Sequence, residues 1–184
     1  RLAFEELLAH HLAVRRRRQR RESSSAPVIS QPVDLWPRLQ ASLAFSMTAA
    51  QQRVIGEVLA DLEKPQPTLR LIQGDVGSGK TVIAAAAALT AVEAGLQAVI
   101  MAPTELLAEQ HFRTFGAWLS MVGLTPVWLT GKASASERRE ACEQLASGQA
   151  VIGIGTHALF QEDVRYRALG LIIVDEQHRF GVQQ

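Results

Sequence analysis

The feature that most constrains this chain is a glycine-rich segment, Gly74-Asp75-Val76-Gly77-Ser78-Gly79-Lys80-Thr81, which matches the pattern G-x-x-x-x-G-K-[ST] in full. An apolar run over Leu69–Gln73, typical of a strand, precedes it, and a helical pattern from Lys80 to Ala94 follows and stops at Gly95. Backbone N–H groups in such a loop can surround an anion, and the helix N-terminus adds the positive end of its dipole. The segment therefore predicts a phosphate site in an α/β fold, and the alternative is a glycine-rich connector that binds nothing.

Each residue type in this segment suits one part of a nucleotide. The backbone from Gly74 to Gly79 would enclose the phosphates, the Lys80 ammonium would reach the β and γ phosphates, and the Thr81 hydroxyl would ligate a magnesium ion. We therefore expect ATP and Mg²⁺ as ligands. The candidate nucleotide-binding residues are Gly74, Asp75, Val76, Gly77, Ser78, Gly79, Lys80 and Thr81.

Two adjacent carboxylates follow the most apolar strand of the sequence, Leu171–Asp175. A nucleotide hydrolase needs one carboxylate near its metal and a group that activates water. Asp175 is the candidate for the magnesium and Glu176 for the general base. Acidic residues are common after strands, so this pair alone would not indicate a hydrolase. It does so together with the glycine-rich segment upstream.

The rest of the chain alternates strands with helices, which is typical of parallel sheets covered by helices on both faces. Thr48 is expected to cap a helix over Ala49–Leu62, and Thr104 a helix that runs to about Leu119. Ser134 and Glu137 form a capping box for a helix that ends at Gly148. Besides Leu69–Gln73 and Leu171–Asp175, the predicted strands are Ala98–Ala102, Val127–Leu129 and Val151–Ile154.

The first residues differ from this pattern. Leu2–Val14 has helical spacing, and six of the seven residues over 15–21 are arginine, after which residues 22–37 have the composition of a linker. We therefore divide the chain into a basic helix with its linker, residues 1–37, and one α/β domain, residues 38–184. The arginines either bind nucleic-acid phosphates or form a solvated helix end.

The composition excludes few functions, but it indicates the cellular compartment. The formal net charge is +1, and the single cysteine, Cys142, cannot form an internal disulfide, which fits a bacterial-type cytoplasm. The longest apolar run, Val82 to Val92, is too short to span a bilayer, and no secretory signal opens the chain. A membrane role is therefore not expected.

Beyond the general nucleotide fold, several segments resemble motifs of superfamily 2 helicases, and of the RecG family in particular. Asp175-Glu176-Gln177-His178 resembles motif II, and its continuation Arg179-Phe180-Gly181-Val182 is similar to RecG. Gly74 to Thr81 resembles motif I. The segments that resemble motifs Ia, Ib and Ic are Met101 to His111, Leu129-Thr130-Gly131 and Gly155-Thr156-His157-Ala158-Leu159.

This resemblance implies a first RecA-like motor domain that binds ATP and moves on branched DNA, at stalled replication forks and Holliday junctions. Gln51 would read the adenine base, since an amide both donates and accepts, and Gln177 and His178 would link the γ-phosphate site to movement between motor domains. The residues implied to contact the DNA are Pro103, Thr104, Thr130, Gly131, Thr156 and His157. An ordinary surface glutamine at position 51, a turn histidine at position 178 and a simple helix cap at Thr104 are the alternatives.

Other functions stay open from the sequence. A transcription-repair coupling translocase has the same motif layout, although its family typically has Phe where this chain has Ser78 and Asp-Glu-Glu-Gln in motif II. An RNA helicase of the same superfamily is a further alternative. A nucleic-acid-binding piece in which the basic helix dominates belongs to another class, and ATP turnover by the complete protein separates it from an enzyme.

The resemblance also implies partners and missing parts. In RecG a wedge domain would precede residue 1, and a second motor domain would supply an arginine finger. The strand that follows motif II would lie between Leu69–Gln73 and Leu171–Asp175. Without that strand we expect a gap or an exposed edge in the sheet, and little ATP hydrolysis by residues 1–184 alone.

Overall fold

The fold is a parallel sheet with helices on both of its faces. The computed structural model describes residues 24–75 and 77–175. In chain order the elements are helices α1 (Leu35–Ser42), α2 (Ala49–Leu62) and α3 (Lys80–Glu93), strand β1 (Gln97–Met101), helix α4 (Glu105–Ser120), strand β2 (Val127–Leu129), helix α5 (Ala135–Ser147), strand β3 (Ile152–Gly155), a 3-10 helix (His157–Phe160) and strand β4 (Leu169–Val174).

The four described strands lie in the order β2-β3-β1-β4, and every pair is parallel. In the register of the sheet Val99 pairs with Gly153 on one side and with Ile172 on the other. The carboxyl ends of all four strands therefore meet at one edge, which we call the carboxyl edge. Open parallel sheets bind their ligands at this edge.

Alternation along β1 divides the core between the two faces of the sheet. Ala98 and Ile100 pack in a cluster with helices α1 to α4, whereas Val99 and Met101 pack in a second cluster with α5 and the 3-10 helix. Both clusters consist of buried apolar side chains, as expected for a sheet covered on both faces. The predicted fold class, an α/β domain of RecA-like type, is confirmed by the parallel sheet and by the helices on both of its faces.

Helix α3 is the central helix of the first cluster. It packs on β1 and β4 with one side and on α1 and α2 with the other, so nearly its whole circumference is apolar, as in Val82-Ile83 and the alanines from Ala84 to Ala88. The small alanines let the neighbouring elements approach closely. Gly95, with a φ of 80°, ends the helix and turns the chain into β1, so the N-terminus of α3 lies toward the carboxyl edge.

The predicted helix ends are confirmed where the sequence has capping residues. The Thr48 and Ser134 capping boxes open α2 and α5, Thr104 Oγ1 accepts from the Leu107 N–H at the start of α4, and Gly148 ends α5 with a φ of 79°. Predicted strands Ala98–Ala102, Val127–Leu129, Val151–Ile154 and Leu171–Asp175 correspond to β1 to β4 with shifts of at most two residues. Ends of strands depend on partner strands, which the local sequence does not contain.

The predicted strand over Leu69–Gln73 is wrong, because these residues join no strand of the described sheet. Leu69 is 81% exposed and Leu71 is 69% exposed, while Arg70 pairs with Asp61 at 2.5 Å and with Glu57 at 2.8 Å. Ion pairs to α2 thus hold this segment instead of a strand ladder. The expected exposed edge is present at β4, where Ile172 is 50% exposed.

Helix α1 was not apparent in the sequence, which has linker composition over residues 22–37. Residues 24–34 contain no helix or strand. Ile29 in this segment and Trp36 in α1 are nevertheless buried. The Glu93 carboxylate of α3 accepts hydrogen bonds from the N–H groups of Val33, Asp34 and Leu35 at 2.7, 2.9 and 3.0 Å. A side chain from another helix therefore caps α1.

Residues 1–23 lie outside the described structure, and with them the predicted basic helix and its arginines. The division of the chain at residue 37 stays a prediction. In the described part of the chain no helix has both the length and the apolar character required to cross a membrane.

Candidate nucleotide and nucleic-acid site

The glycine-rich segment forms a turn that only glycines allow at two positions. Gly77 and Gly79 have φ angles of 81° and 80°, in the left-handed region that other residues avoid. Gly79 is also the N-cap of α3, and a β-carbon there would lie 2.2 Å from Gln51 Nε2. These two glycines therefore bring the loop onto the N-terminus of α3, where orphan N–H groups favour an anion.

Lys80 points back into this loop. Its Nζ donates hydrogen bonds to the carbonyl oxygens of Gly74 and Asp75 at 2.7 and 2.8 Å. Because these partners are neutral carbonyls, the positive charge of Lys80 is not neutralised by them. A phosphate at the helix N-terminus would offer the ammonium a charge-assisted hydrogen bond, which is about twice as strong as a neutral one.

Gln51 contacts the same loop from α2. Its Oε1 accepts from the Thr48 N–H at 2.9 Å, and its Nε2 donates to the Ser78 carbonyl at 2.8 Å. It is therefore part of a capping box and of the loop's own hydrogen bonding, not a solitary surface residue. An amide has two donor hydrogens and two acceptor lone pairs, so Gln51 retains the capacity to read a base edge.

The carboxyl edge brings the candidate motifs together. Pro103-Thr104 follows β1, Thr130-Gly131 follows β2, Thr156-His157 follows β3 and Asp175 follows β4. The parallel strands therefore bring the three motif loops after β1, β2 and β3 to one edge together with Asp175, and α3 points its N-terminus toward the same edge. Sequence reasoning predicted the motifs separately, and the parallel sheet explains why they share one side of the domain.

The candidate magnesium ligands are hard oxygen donors, which fit this ion. Thr81 lies in the first turn of α3 and Asp175 directly follows β4, where its N–H donates to the Met101 carbonyl at 2.8 Å. No cluster of three or more His, Cys, Asp or Glu side chains that could hold a metal exists among the described residues. Magnesium is usually bound through one or two protein ligands together with waters and nucleotide phosphates, and Thr81 and Asp175 are the candidates for the protein ligands.

The candidate DNA-contact residues differ in exposure. Thr104, Gly131 and His157 are exposed, whereas Thr130 and Thr156 are buried. The Thr104 hydroxyl is used as a helix cap, and Pro103 is half-buried beside it. In the part of the chain that the structure describes, the buried Thr156 Oγ1 has no hydrogen-bond partner. The exposed three are thus better placed to meet a ligand in this conformation.

Four of the predicted site residues lie outside the described part of the chain. They are Val76 in the glycine-rich segment and Glu176, Gln177 and His178 after β4. The assignments of Glu176 as general base and of His178 in coupling therefore remain predictions.

Two residues at this edge were missed by sequence reasoning as site residues. Lys132 Nζ forms an ion pair with Glu105 at the start of α4, and the hydrogen bond from this carboxylate raises the pKa of Lys132. His111 Nε2 lies 2.6 Å from Asp175 Oδ2. The signal for His111 is its place on the buried stripe of α4, in register with Ala108 and Phe115.

Comparisons with known proteins agree with this geometry. Residues 48–184 match the model of the family described as DEAD/DEAH box helicase. The chain is 55% identical over its whole length to the ATP-dependent DNA helicase RecG of Acidithiobacillus ferridurans and 48% identical to that of Escherichia coli strain K12. It spans 27% of the length of each of these relatives.

A solved structure of RecG bound to a three-way DNA junction superposes with a TM-score of 0.85 and 42% sequence identity. The match covers 97% of this chain and 24% of that one. The likeness to that RecG therefore concerns both the sequence and the arrangement of the elements. The chain therefore belongs to the DEAD/DEAH box helicase family, and along its whole length it is similar to one part of RecG.

Proposed function

We propose that the protein containing this chain is an ATP-driven DNA helicase or translocase that remodels branched DNA, such as stalled forks and Holliday junctions. This chain would supply the phosphate loop, one carboxylate for Mg²⁺ and part of the DNA-contact surface. The observation that carries the proposal is the carboxyl edge, where the motif loops after β1, β2 and β3 lie along one side of the domain together with Asp175 at the end of β4. The similarity to RecG bound to a three-way junction supports branched DNA as the substrate.

The chemistry follows from the residues at this edge. The N–H groups at the start of α3 and the Lys80 ammonium would bind the β and γ phosphates of ATP. Thr81 and Asp175 would hold Mg²⁺, which neutralises charge on the transferred phosphoryl group. Glu176 would accept the proton of the attacking water, and Gln51 would recognise adenine.

The DNA would be held by the loops that follow β1 to β3. Thr104, Gly131 and His157 are exposed there, and the N–H groups at the start of α4 favour a phosphate. Such backbone contacts position DNA but carry no sequence information. We therefore propose binding to DNA by shape and charge.

A second motor domain and a wedge domain of the same protein would be the partners of this chain. The bacterial relatives and the single cysteine, Cys142, favour the cytoplasm as its compartment.

The test is ATP turnover by the complete protein with three ligands: forked DNA, linear duplex DNA and duplex RNA. We expect the largest stimulation with the fork. Stimulation by RNA alone would indicate an RNA helicase, equal stimulation by linear duplex would favour a double-strand translocase of the coupling type, and no turnover at all would refute the enzyme.

Two substitutions in the same assay separate binding from chemistry. Lys80→Ala should reduce turnover below a tenth of wild type, because the phosphate charge loses its fixed counter-charge. Glu176→Gln should keep nucleotide affinity and lose hydrolysis, since an amide cannot accept the proton. If Glu176→Gln loses nucleotide binding as well, Glu176 has a structural role and the general base must be sought elsewhere.

A further inference from the structure

His111 lies on the inward stripe of α4, although it is a polar residue. The buried side chains of this helix are Ala108, Phe115 and Leu119, which precede or follow His111 by three to eight positions and share its face. Only 15% of the His111 side chain is exposed. A mostly buried imidazole on an apolar stripe requires a polar partner.

That partner is the candidate magnesium carboxylate. His111 Nε2 and Asp175 Oδ2 are 2.6 Å apart, across 64 positions of the chain. A carboxylate only accepts hydrogen bonds, so Nε2 is the donor. The Phe115 ring meets the imidazole edge-on, with ring centroids 6.2 Å apart and planes inclined by 64°, which limits rotation of the imidazole.

Such a hydrogen bond controls the position of the Asp175 carboxylate. The backbone of Asp175 is held by its N–H bond to Met101, while the bond from His111 holds one of its carboxylate oxygens. A carboxylate has about four lone-pair sites, so this bond is compatible with a metal or a metal-bound water on the same group. Magnesium tolerates little deviation from octahedral geometry, and loss of a hydrogen bond to a ligating residue typically reduces metal affinity or activity about 10–100-fold.

The same bond connects Asp175 to the DNA-contact edge. Helix α4 begins at the cap Thr104, and His111 is seven residues further along, about 10 Å at 1.5 Å per residue. A helix moves as a rigid element over this length. A displacement of its N-terminus by DNA would therefore change the position of the imidazole on Asp175.

We propose that His111 is a positioning residue that orients Asp175 for Mg²⁺ and makes this orientation depend on helix α4. The inference rests on the proposed function, because it concerns the magnesium and DNA sites of that function. The structure supports it through one short contact, one ring contact and the course of a single helix.

The variants are chosen by the reach of their side chains. In the complete protein, His111→Leu removes the donor and keeps apolar volume. His111→Gln offers an amide N–H at about the reach of Nε2, and His111→Asn offers the same amide one methylene shorter. Arg113→Gln changes a residue on the exposed face of α4, which pairs with Glu109, and serves as the matched control.

The first measurement is the Mg²⁺ concentration that gives half-maximal binding of a fluorescent, non-hydrolysable ATP analogue. We expect His111→Leu and His111→Asn to raise this midpoint about tenfold or more, with unchanged analogue affinity in EDTA. His111→Gln should lie within about threefold of wild type, as should Arg113→Gln. If His111→Leu fails to fold, the contrast between the Gln and Asn variants decides the question.

The second measurement repeats the Mg²⁺ titration with saturating forked DNA. By linkage, DNA should shift the wild-type midpoint, and the shift should disappear in His111→Leu. Equal midpoints in all variants, or an equal loss of affinity in EDTA, would overturn the positioning role. A wild-type protein without Mg²⁺-dependent nucleotide binding would instead refute the proposed function, so the two failures are distinguishable.

Discussion

At the scale of single residues, glycines determine how closely the motif loops approach one another. Gly155 ends β3 between β1 and β2, and a β-carbon there would lie 1.8 Å from the Leu129 carbonyl oxygen. That carbonyl also accepts the Thr156 N–H at 3.2 Å. Gly155 thus allows the loops after β2 and β3, both candidates for DNA contact, to lie directly beside each other.

Gly155→Ala should separate β2 from β3, because the added methyl group meets backbone that cannot rotate away. Overpacking of this kind typically costs about 1–3 kcal/mol. We expect faster hydrogen exchange in peptides that cover β2 and the Thr156 loop of the complete protein. Gly56→Ala is the control, since a β-carbon at this exposed position of α2 meets nothing within 4 Å, and it should slow exchange of α2 because alanine favours helices. Unchanged exchange of β2 would contradict the prediction.

At the scale of elements, long-range polar contacts hold the parts that no strand ladder holds. Helix α1 has only eight residues and its N-cap Asp34 makes no side-chain capping bond. The Glu93 carboxylate binds three N–H groups at its start instead. The segment before the phosphate loop depends in a similar way on the Arg70 pairs with Asp61 and Glu57.

Glu93→Ala should release α1 from α3. Hydrogen bonds to charged groups contribute about 1.5–3 kcal/mol, so we expect the amides of α1 to exchange roughly tenfold faster or more. The buried Trp36 provides a second measurement, a red shift of tryptophan emission as this side chain becomes hydrated. Glu143→Ala, which removes an exposed carboxylate of α5, should change neither. A Glu93→Ala protein with wild-type exchange of α1 would show that packing alone holds this helix.

The Asp61–Arg70 pair should make stability depend on pH. The hydrogen bond from Arg70, followed by that from Lys64, lowers the pKa of Asp61 below its usual value. A pKa that is lower in the folded state stabilises the fold above the unfolded value of about 4, and this contribution is lost as the pH falls through the lowered pKa. The thermal midpoints of wild type and Asp61→Asn should therefore differ at pH 6, and the difference should shrink as the pH falls below about 4 and through the lowered pKa. A difference that does not shrink anywhere below about pH 4 would argue against this assignment.

At the scale of the whole molecule, the described domain exposes apolar side chains in two segments, the one before the phosphate loop and strand β4. Leu69, Leu71, Ile172 and Val174 are 81%, 69%, 50% and 41% exposed, and β4 is an edge strand of the described sheet. Exposed edges and apolar patches favour association. The chain also spans 27% of the length of the RecG relative described above. Most of the sequence of that relative therefore has no counterpart in residues 1–184.

Residues 1–184 on their own should therefore hydrolyse ATP at least about 10³-fold more slowly than the complete protein, since an arginine finger from a second domain accounts for ~10³–10⁵ in related systems. They should also self-associate in a concentration-dependent way. Steady-state turnover and sedimentation of the isolated chain measure the two effects. A stable monomer with DNA-stimulated turnover near that of the complete protein would contradict both expectations.

The sequence by itself determined the features whose partners are close along the chain. The turn from Gly74 to Thr81, the capping boxes at Thr48 and Ser134 and the stop at Gly148 each depend on hydrogen bonds or φ angles within a few residues. Helices α2 to α5 could therefore be predicted almost to the residue. The phosphate loop was predicted by the same local logic, whereas the other motif segments were identified by their resemblance to the RecG family.

Only the tertiary structure decided the features whose partners are distant. The cap of α1 comes from Glu93, 58 to 60 positions away, and the partner of His111 is 64 positions away. Leu69–Gln73 has the apolar pattern of a strand, but a strand exists only with a hydrogen-bonded neighbour, and the described sheet provides none. The burial of Thr130 and Thr156 likewise follows from the packing of β2 against β3. Contacts of this kind bring together segments that carry no local signal of each other.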